Sequence, residues 1–324
     1  MANYIVTGAA GFIGAKVSEL LLKDGHRVVG VDNLNDAYDI RVKEYRLGML
    51  TPHPNFTFSK TELADKDAVF ALAEHGPFDG VINLAARAGV RASVENPWVY
   101  LSTNTLGTLN LLELSRQHDI PKFVLASTSS IYGNTDIFPT PETADSSRPL
   151  QPYSASKKGA EAMAHAFHYL YGLDVTIFRF FTVYGPAGRP DMVMFRFARW
   201  ITEGVPLRLN GDGEQSRGFT YVDDIARGTI LGLKPLGYEI INLGGHEVIT
   251  INNLIKMLEE KIGRKAEINY HPLHKADALR NDADVTKARK MLGWEAQIGL
   301  DEGVSRLVAW YNENRTWASQ IDVF

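Results

Sequence analysis

The 324-residue sequence contains no cysteine, which excludes disulfide bonds, thiolate metal sites and cysteine nucleophiles. A chain without thiols suits a reducing compartment, and we expect it to be cytoplasmic. Excess positive charge is also missing, because the formal net charge is −4 at pH 7. This balance gives no general attraction for nucleic acid or for an anionic membrane. We therefore expect neither as a partner, and any anionic ligand must be held by local positive groups.

Long apolar segments are absent as well. No run approaches the roughly 18 apolar residues of a membrane-spanning helix, and the N-terminus leads into a strand-like segment rather than a signal-peptide core. Hydrophobic residues make up 45% of the sequence and charged residues 22%, which is typical of a globular protein. At this length, the chain is predicted to bury a large core in one domain or two.

Short apolar segments alternate with helix-like segments, among them Pro97–His118 and Pro152–Tyr171. Six segments are predicted as strands: Ala2–Thr7, Arg27–Asp32, Phe56–Lys60, Gly80–Leu84, Phe123–Ser127 and Val175–Phe180. This alternation predicts an α/β fold with a doubly wound parallel sheet, Rossmann-like, in which ligands bind at the carboxyl ends of the strands. After about Tyr184 the sequence is richer in glycine, proline and charge, which predicts a smaller, partly interleaved C-terminal lobe.

A glycine-rich turn follows the first predicted strand and contains Gly8, Gly11 and Gly14. Glycines permit a tight turn and let the backbone approach a pyrophosphate, which the N–H groups of the following helix can bind. The second predicted strand ends at Asp32. A carboxylate there accepts hydrogen bonds from a ribose 2′-hydroxyl and repels a 2′-phosphate. Since no arginine directly follows Asp32, the sequence predicts NAD rather than NADP as the cofactor.

The predicted helix at Pro152–Tyr171 carries Tyr153 and Lys157. Four residues are about one helical turn, so the phenol and the ammonium stand on one face. A nearby cation favours the phenolate and lowers the pKa of a tyrosine. The pair could therefore take a proton from a sugar or alcohol hydroxyl near neutral pH.

The spacing Gly-x-x-Gly-x-x-Gly combined with Tyr-x-x-x-Lys resembles the extended short-chain dehydrogenase/reductase family of NAD-dependent epimerases and dehydratases, over nearly the whole chain. The segment from Ala126 to Gly133 resembles the strand end that carries the family's catalytic Ser or Thr. The resemblance thus implies the catalytic residues Thr128, Tyr153 and Lys157. The implied NAD-binding residues are Gly8, Gly11, Phe12, Ile13, Gly14, Asp32, Asn33, Glu62, Leu63, Leu84, Ala85, Ala86, Asn104, Tyr153 and Lys157.

Three segments, Asp32–Asp39, Ala88–Ser93 and Arg179–Met192, resemble UDP-glucuronate 4-epimerases of this family, although Ala187 stands where these usually have Trp. The resemblance implies that Arg189 and Thr182 bind the sugar carboxylate. The segment Gly211–Asp224 resembles the nucleotide-sugar segment of the wider group, with Arg217 on the diphosphate. The implied substrate-binding residues are Arg91, Ser129, Ser130, Thr182, Arg189, Arg217 and Asp277, and no metal ligand is expected.

The reaction implied is the NAD-dependent 4-epimerisation of UDP-glucuronic acid to UDP-galacturonic acid through a transient 4-keto intermediate. Tyr153 is expected to take the proton of the C4 hydroxyl, with Lys157 lowering the pKa of Tyr153. Ser129 and Ser130 stand where sugar dehydratases of the family have an acidic pair, and UDP-glucuronate decarboxylases have Glu at the position of Ser130, which argues against both reactions. Two alternatives stay open. One is a 4-epimerase of a neutral UDP-sugar (UDP-glucose/UDP-galactose), and the other is a non-catalytic NAD-binding regulator on the same fold.

The resemblance also predicts domain organisation and assembly. Residues 1–184 are expected to form mainly the NAD-binding domain. Residues 185–324 are expected to form mainly the nucleotide-sugar-binding lobe, with some segments returning to the first domain. Relatives commonly dimerise through the helix that bears Tyr-x-x-x-Lys and the long helix before it, so we expect a homodimer.

Overall fold

The computed structural model describes residues 1–245, 247–272 and 280–323. The strands are β1 (Asn3–Thr7), β2 (Arg27–Asp32), β3 (Phe56–Lys60), β4 (Gly80–Asn83), β5 (Lys122–Thr128), β6 (Asp174–Phe180), β7 (Thr182–Tyr184), β8 (Leu207–Asn210), β9 (Ser216–Tyr221), β10 (Tyr238–Leu243), β11 (Glu247–Thr250) and β12 (Ile268–His271). The α-helices are α1 (Phe12–Lys23), α2 (Ile40–Leu50), α3 (Lys66–Ala71), α4 (Val90–Glu95), α5 (Pro97–Tyr100), α6 (Gly107–Gln117), α7 (Pro152–Tyr171), α8 (Val193–Glu203), α9 (Val222–Leu231), α10 (Ile251–Ile262), α11 (Thr286–Leu292), α12 (Leu300–Glu313) and α13 (Arg315–Ala318). Short 3₁₀ turns lie at Leu72–His75 and Ser129–Tyr132, and a π-helical turn lies at Leu101–Leu106.

A seven-stranded sheet forms the centre of the fold, in the order β3-β2-β1-β4-β5-β6-β10. All six strand pairs in it are parallel. Every residue of β5 is buried, as expected for a strand that has helices on both faces of its sheet. The order from β3 to β6 is that of a doubly wound nucleotide-binding sheet, so the predicted fold class is confirmed.

The remaining strands form two small sheets. In the first, β9 lies between antiparallel β11 and parallel β7, and in the second, β8 pairs with β12 in parallel. Helices α8, α10 and α12 pack beside them around buried side chains that include Phe195, Leu254 and Trp310. The same apolar cluster contains Tyr38 and Val42 from the N-terminal half. Side chains from both halves of the chain therefore pack together in this cluster.

The sequence-based helix at Pro152–Tyr171 is confirmed residue for residue by α7, but the one at Pro97–His118 is interrupted. α5 ends at Tyr100, the π-helical turn follows, and α6 begins only at Gly107. The turn contains Asn104, whose side chain bonds the backbone of another segment. Single π-helical turns are rare and are frequently found at functional sites. No helix in the described ranges is long and apolar enough to span a bilayer.

Candidate active site

The turn between β1 and α1 has a geometry that requires glycine. Gly8 has a φ of 67°, in the left-handed region that favours glycine. A Cβ on Gly14 would lie 2.0 Å from the Gly8 carbonyl oxygen, and one on Gly11 would lie 2.8 Å from it. α1 then begins with Phe12 and Ile13, and no side chain caps its N-terminus. The turn and the uncapped helix end together form a cradle that suits a phosphate group.

Asp32 ends β2 beside this turn and is 7% exposed. Its carboxylate accepts hydrogen bonds from the backbone N–H groups of Ala10 (3.2 Å) and Leu34 (2.9 Å). The next side chain, Asn33, donates to Glu62 Oε2 at 2.6 Å, and buried Leu63 follows Glu62. The structure therefore places Asp32, Asn33, Glu62 and Leu63, all predicted to bind NAD, at the carboxyl ends of the neighbouring strands β2 and β3.

The residues after β4 are held over the same turn by Thr7. Its hydroxyl donates to Asn83 Oδ1 at 2.7 Å and accepts from the backbone N–H groups of Leu84 and Ala85, each at 3.1 Å. A Cβ on Gly8 would lie 2.9 Å from the Ala85 nitrogen, so the turn and the segment Leu84–Ala86 are in close contact. Asn83 serves as a buried acceptor here.

Asn104 joins the segment after β4 to the helix that bears Tyr153. Its side chain accepts from the Arg87 N–H at 2.8 Å and donates to the Arg87 carbonyl at 3.0 Å. It also donates to Ser156 Oγ at 2.9 Å, and Ser156 lies between Tyr153 and Lys157 in α7. The π-helical turn thus fixes the start of α7 against the predicted cofactor site.

Thr128 and Tyr153 meet at the carboxyl end of β5. The Thr128 hydroxyl is within hydrogen-bond reach of the Tyr153 side chain. Its oxygen accepts from the Ser130 N–H at 3.1 Å and lies 3.2 Å from Ser130 Oγ. Burial raises the pKa of Tyr153, whereas the bond with Thr128 and the positive charge of Arg189 act against that rise. The Tyr153 ring meets Tyr100 edge-on, with ring centroids 6.1 Å apart. A phenol between a hydroxyl and a guanidinium suits a proton-transfer site.

Lys157 lies one turn further along α7 and is buried. Burial lowers its pKa from 10.5 to about 8, and the carboxylate of Glu161 acts in the opposite direction. Glu161 is held by Ser127 Oγ at 2.6 Å and by the Arg179 guanidinium at 3.0 and 2.9 Å. Sequence reasoning missed Glu161 and Arg179, although an acid four residues after Lys157 on the same helix face was a usable signal.

Arg189, from the C-terminal half of the chain, lies close enough to Tyr153 for its charge to act on that phenol. Its Nε and Nη2 donate to the two carboxylate oxygens of Asp191 at 3.0 and 2.5 Å. Burial alone would raise the pKa of Asp191, but the Arg189 charge holds it below its usual value. Thr182 begins β7, two residues beyond Phe180, which is in register with Thr128 in the central sheet. The segment 182–191 therefore leaves the sheet beside Thr128 and brings a guanidinium to Tyr153.

The other predicted substrate residues lie on several different elements. Arg91 lies in α4, and its guanidinium donates to the side-chain oxygen of Asn210, with that amide oriented to accept, at 2.8 and 3.3 Å. Arg217, in β9, donates to the Ser216 carbonyl at 2.8 Å. Ser129 and Ser130 begin the 3₁₀ turn after β5, whereas Asp277 lies outside the described residues.

Two arginines near Arg91 were not predicted. The pKa of Arg196 is lowered by burial and by the positive charges of Arg91 and Arg208. Arg196 is therefore close enough to Arg91 and Arg208 for their charges to act on it, and such a group of guanidiniums suits an anion. Within the described ranges, no group of three or more His, Cys, Asp or Glu side chains could hold a metal ion.

Comparison with known sequences identifies the family. The profile of the NAD dependent epimerase/dehydratase family matches residues 4–244. The chain belongs to this family. The UDP-glucuronate 4-epimerase of Thermodesulfobacterium geofontis is 54% identical over 315 residues, which cover 97% of each chain. The match therefore extends over both halves of this family member.

Solved structures agree with that assignment. A UDP-glucuronic acid 4-epimerase from Bacillus cereus, in complex with UDP-glucuronic acid and NAD, superposes with a TM-score of 0.91 at 33% identity, covering 96% of this chain and 99% of that one. A UDP-glucose 4-epimerase from Thermotoga maritima, with UDP-glucose, gives a TM-score of 0.89 at 34% identity, covering 97% and 99%. The family is NAD-dependent, and the cradle at Gly8–Gly14 with Asp32 beside it fits that cofactor.

Proposed function

We propose that this member of the family is an NAD-dependent UDP-glucuronate 4-epimerase, which converts UDP-glucuronic acid to UDP-galacturonic acid. The observation that carries the proposal is the position of Arg189, close enough to Tyr153 for its charge to oppose the rise in the pKa of that phenol. A cation beside the base is the feature that an acidic sugar needs and a neutral sugar does not. The 54% identity to a protein named for this activity supports the same reaction.

The chain's residues divide the proton chemistry among them. We assign Tyr153 to take the proton of the C4 hydroxyl and to return it, with Thr128 hydrogen-bonding the same oxygen. We assign Lys157, buried one helical turn after Tyr153, to keep a positive charge at the site, supported by the Glu161 carboxylate. A bound NAD⁺ would supply the hydride acceptor for C4 and then the hydride donor, and C4 inverts only if the hydride returns to the opposite face of the planar 4-keto sugar, with no net oxidation. The glycine cradle and Asp32 would hold that cofactor, with Glu62 on the adenine side.

The 4-keto intermediate of this reaction must also be protected from losing its carboxylate. A 4-keto uronic acid is a β-keto acid, which loses CO₂ when the bond to the carboxylate aligns with the ketone π system. We assign Arg189 and Thr182 to hold the carboxylate out of that alignment. Ser129 and Ser130 offer hydroxyls rather than a carboxylic acid near Thr128, so no proton relay for elimination is provided there.

The test is to incubate the purified protein separately with UDP-glucuronate and UDP-glucose, with and without added NAD⁺, and to resolve the products by chromatography and NMR. UDP-galacturonate from the first substrate, with little UDP-galactose from the second, is the expected result. Tyr153→Phe should abolish turnover, whereas Tyr169→Phe, on the same helix but 80% exposed, should not change it. A pentose product would mean decarboxylation, and NAD binding without turnover of either sugar would indicate a regulator.

A 4-epimerase of a neutral UDP-sugar is the second candidate. One observation favours it: Asp191 already neutralises Arg189, so the cation does not require a carboxylate from the substrate. UDP-galactose as the main product of the same experiment would establish this alternative. Arg189 would then serve to position the segment around it rather than to select the sugar.

We also propose that residues 1–184 mainly bind NAD and residues 185–324 mainly bind the nucleotide sugar, with β10 returning to the first domain.

A homodimer is proposed because Trp98, Leu101 and Leu106 expose an apolar surface on α5 and the π-helical turn. Light scattering after gel filtration should give a dimer, and Trp98→Asp should give a monomer. The control Tyr270→Asp, at an exposed position in β12, should stay dimeric. A cytoplasmic location stays a prediction that rests on the absence of cysteine.

A further inference from the structure

Arg46 is a buried cation that belongs to none of the residue sets assigned above. It lies in α2 and is 1% exposed. Its Nε and Nη2 both donate to the Ala187 carbonyl, at 2.9 and 2.6 Å. Its Nη1 donates to the Ala10 carbonyl at 3.2 Å and to the Tyr38 hydroxyl at 2.8 Å. One guanidinium thus contacts three separate segments of the chain.

Two of those segments border the two halves of the proposed site. Ala10 belongs to the glycine-rich turn, and the guanidinium carbon lies 5.7 Å from the ring centre of Phe12, the first residue of α1. Ala187 lies two residues before Arg189 in the segment proposed to hold the sugar. Arg46 is therefore a direct bridge between the cofactor turn and the substrate segment.

The bond to Ala187 has a conformational consequence. Ala187 has a φ of 50°, in the left-handed region that an L-residue with a Cβ rarely adopts. The forked bond from Arg46 holds its carbonyl in the orientation that this conformation requires. The direction in which the chain continues to Arg189 depends on that backbone angle.

The charge of Arg46 also needs an explanation. Among residues 1–245, 247–272 and 280–323, all its hydrogen-bond partners are neutral, and none is a carboxylate. Burying a cation without a counter-charge is unfavourable, so an apolar side chain would serve a purely structural purpose better. The charge lies beside the turn whose geometry suits a pyrophosphate, which would provide the missing negative charge when bound.

We propose that Arg46 is a positioning residue that couples the two halves of the site. It aligns the segment 182–189 with the glycine-rich turn. Binding of the cofactor at the turn and correct placement of Arg189 therefore favour each other. The proposal rests on the role proposed for that segment, but it does not require the sugar to be acidic. Turnover by the unsubstituted protein is measured first with both sugars, so a failure of the proposed function is seen before Arg46 is tested.

The first variant is Arg46→Met, which keeps the length of the side chain and removes the bonds and the charge. The matched control is Arg199→Met, because Arg199 also donates twice to a backbone carbonyl, that of Ser319, and bonds neither the turn nor the segment 182–189. We expect Arg46→Met to weaken NAD⁺ binding, measured by calorimetry, and to raise the KM for the nucleotide sugar, each by about tenfold or more. Arg199→Met should lower the melting temperature without either change.

Combining Arg46→Met with Ala187→Gly tests whether Arg46 acts through the backbone conformation of Ala187. Glycine adopts a positive φ without strain, so in Ala187→Gly the conformation depends less on Arg46. The increase in sugar KM caused by Arg46→Met should therefore be smaller in the Ala187→Gly background, by about threefold or more. The NAD⁺ affinity, which depends on the Ala10 contact and on charge, should fall equally in both backgrounds.

The outcomes decide the matter. Equal increases in sugar KM with and without Ala187→Gly would overturn the proposed route. Unchanged NAD⁺ affinity and unchanged KM in Arg46→Met, with only a loss of melting temperature like that of Arg199→Met, would reduce Arg46 to a structural residue. If Arg46→Met does not fold, Arg46→Lys replaces it. Lysine keeps the charge but not the fork, so NAD⁺ affinity should be retained while sugar KM rises, and the reverse pattern would contradict the proposal.

Discussion

Replacing Lys157 should make the protein more stable and inactive at the same time. Lys157 is 2% exposed, and burial lowers its pKa from 10.5 to about 8. At pH 7 the side chain is charged in both the folded and the unfolded protein, so the folded state carries the full cost of burying an ammonium group. Lys157→Met removes that charge while filling a similar volume, and it also removes the cation that the proposed mechanism uses one helical turn from Tyr153.

The magnitude and its pH dependence follow from linkage. A fall in pKa from 10.5 to about 8 corresponds to about 3 kcal/mol by which the charged group destabilises the folded state at pH 7. As the pH rises through 8, the folded protein loses this proton while the unfolded chain keeps it until about 10.5. The unfolded state then binds more protons, so the stability of the unsubstituted protein should rise with pH across this window.

The assay is urea denaturation of nucleotide-free protein between pH 7 and pH 10.5, comparing the unsubstituted chain with Lys157→Met. The variant should be more stable by up to about 3 kcal/mol at pH 7, and the difference should close toward pH 10.5. Its turnover should fall by about a hundredfold or more. A variant that is less stable at pH 7, or a difference that does not change with pH, would refute the reasoning.

Three further outcomes are expected. Arg189→Met should shift the acidic limb of the kcat/KM–pH profile to higher pH, because the charge that lowers the pKa of Tyr153 is lost; an unmoved limb would separate Arg189 from the base. Glu161→Gln should reduce the free energy of unfolding by about 3 to 5 kcal/mol in urea titrations, since it leaves Arg179 buried without its carboxylate. Adding Arg179→Met should restore part of that loss, and an additive loss would count against the pair. Asp191→Asn should increase the ratio of kcat/KM for UDP-glucuronate over UDP-glucose, because Arg189 then lacks an internal carboxylate; a lower ratio would show that Asp191 serves mainly to orient Arg189.

The central sheet was predictable because the sequence signals that define its strands and turns lie within or next to those elements. Strands β2 and β3 have the bounds that were predicted from the sequence, and the glycine turn lies where a Cβ would collide with backbone. α7 was predicted with both its ends, since Pro152 marks its first turn and Gly172 its left-handed C-cap. Such signals lie within a few residues of the element that they define.

The contacts that shape the candidate site were not local in this sense. Arg46 meets Ala187 across 141 residues, and Arg179 meets Glu161 across two different elements. The π-helical turn was missed because the residue that explains it, Asn104, bonds a segment 17 positions away. Periodicity assigns residues to faces of helices and strands but does not pair one buried polar group with another, so these partners required the structure.

The position of β10 in the central sheet has a consequence for folding of the chain during its synthesis on the ribosome. β10 pairs with β6 over six residues, yet the ribosome makes it well after Phe180. At about 5 to 20 residues per second, the edge of β6 stays without its neighbour for several seconds. An open parallel edge can recruit other chains, so a nascent or truncated product that stops after Tyr184 should depend on chaperones and aggregate without them. The N-terminal half thus contains the residues proposed to bind the cofactor before β10 covers the edge of β6 and protects the sheet from aggregation.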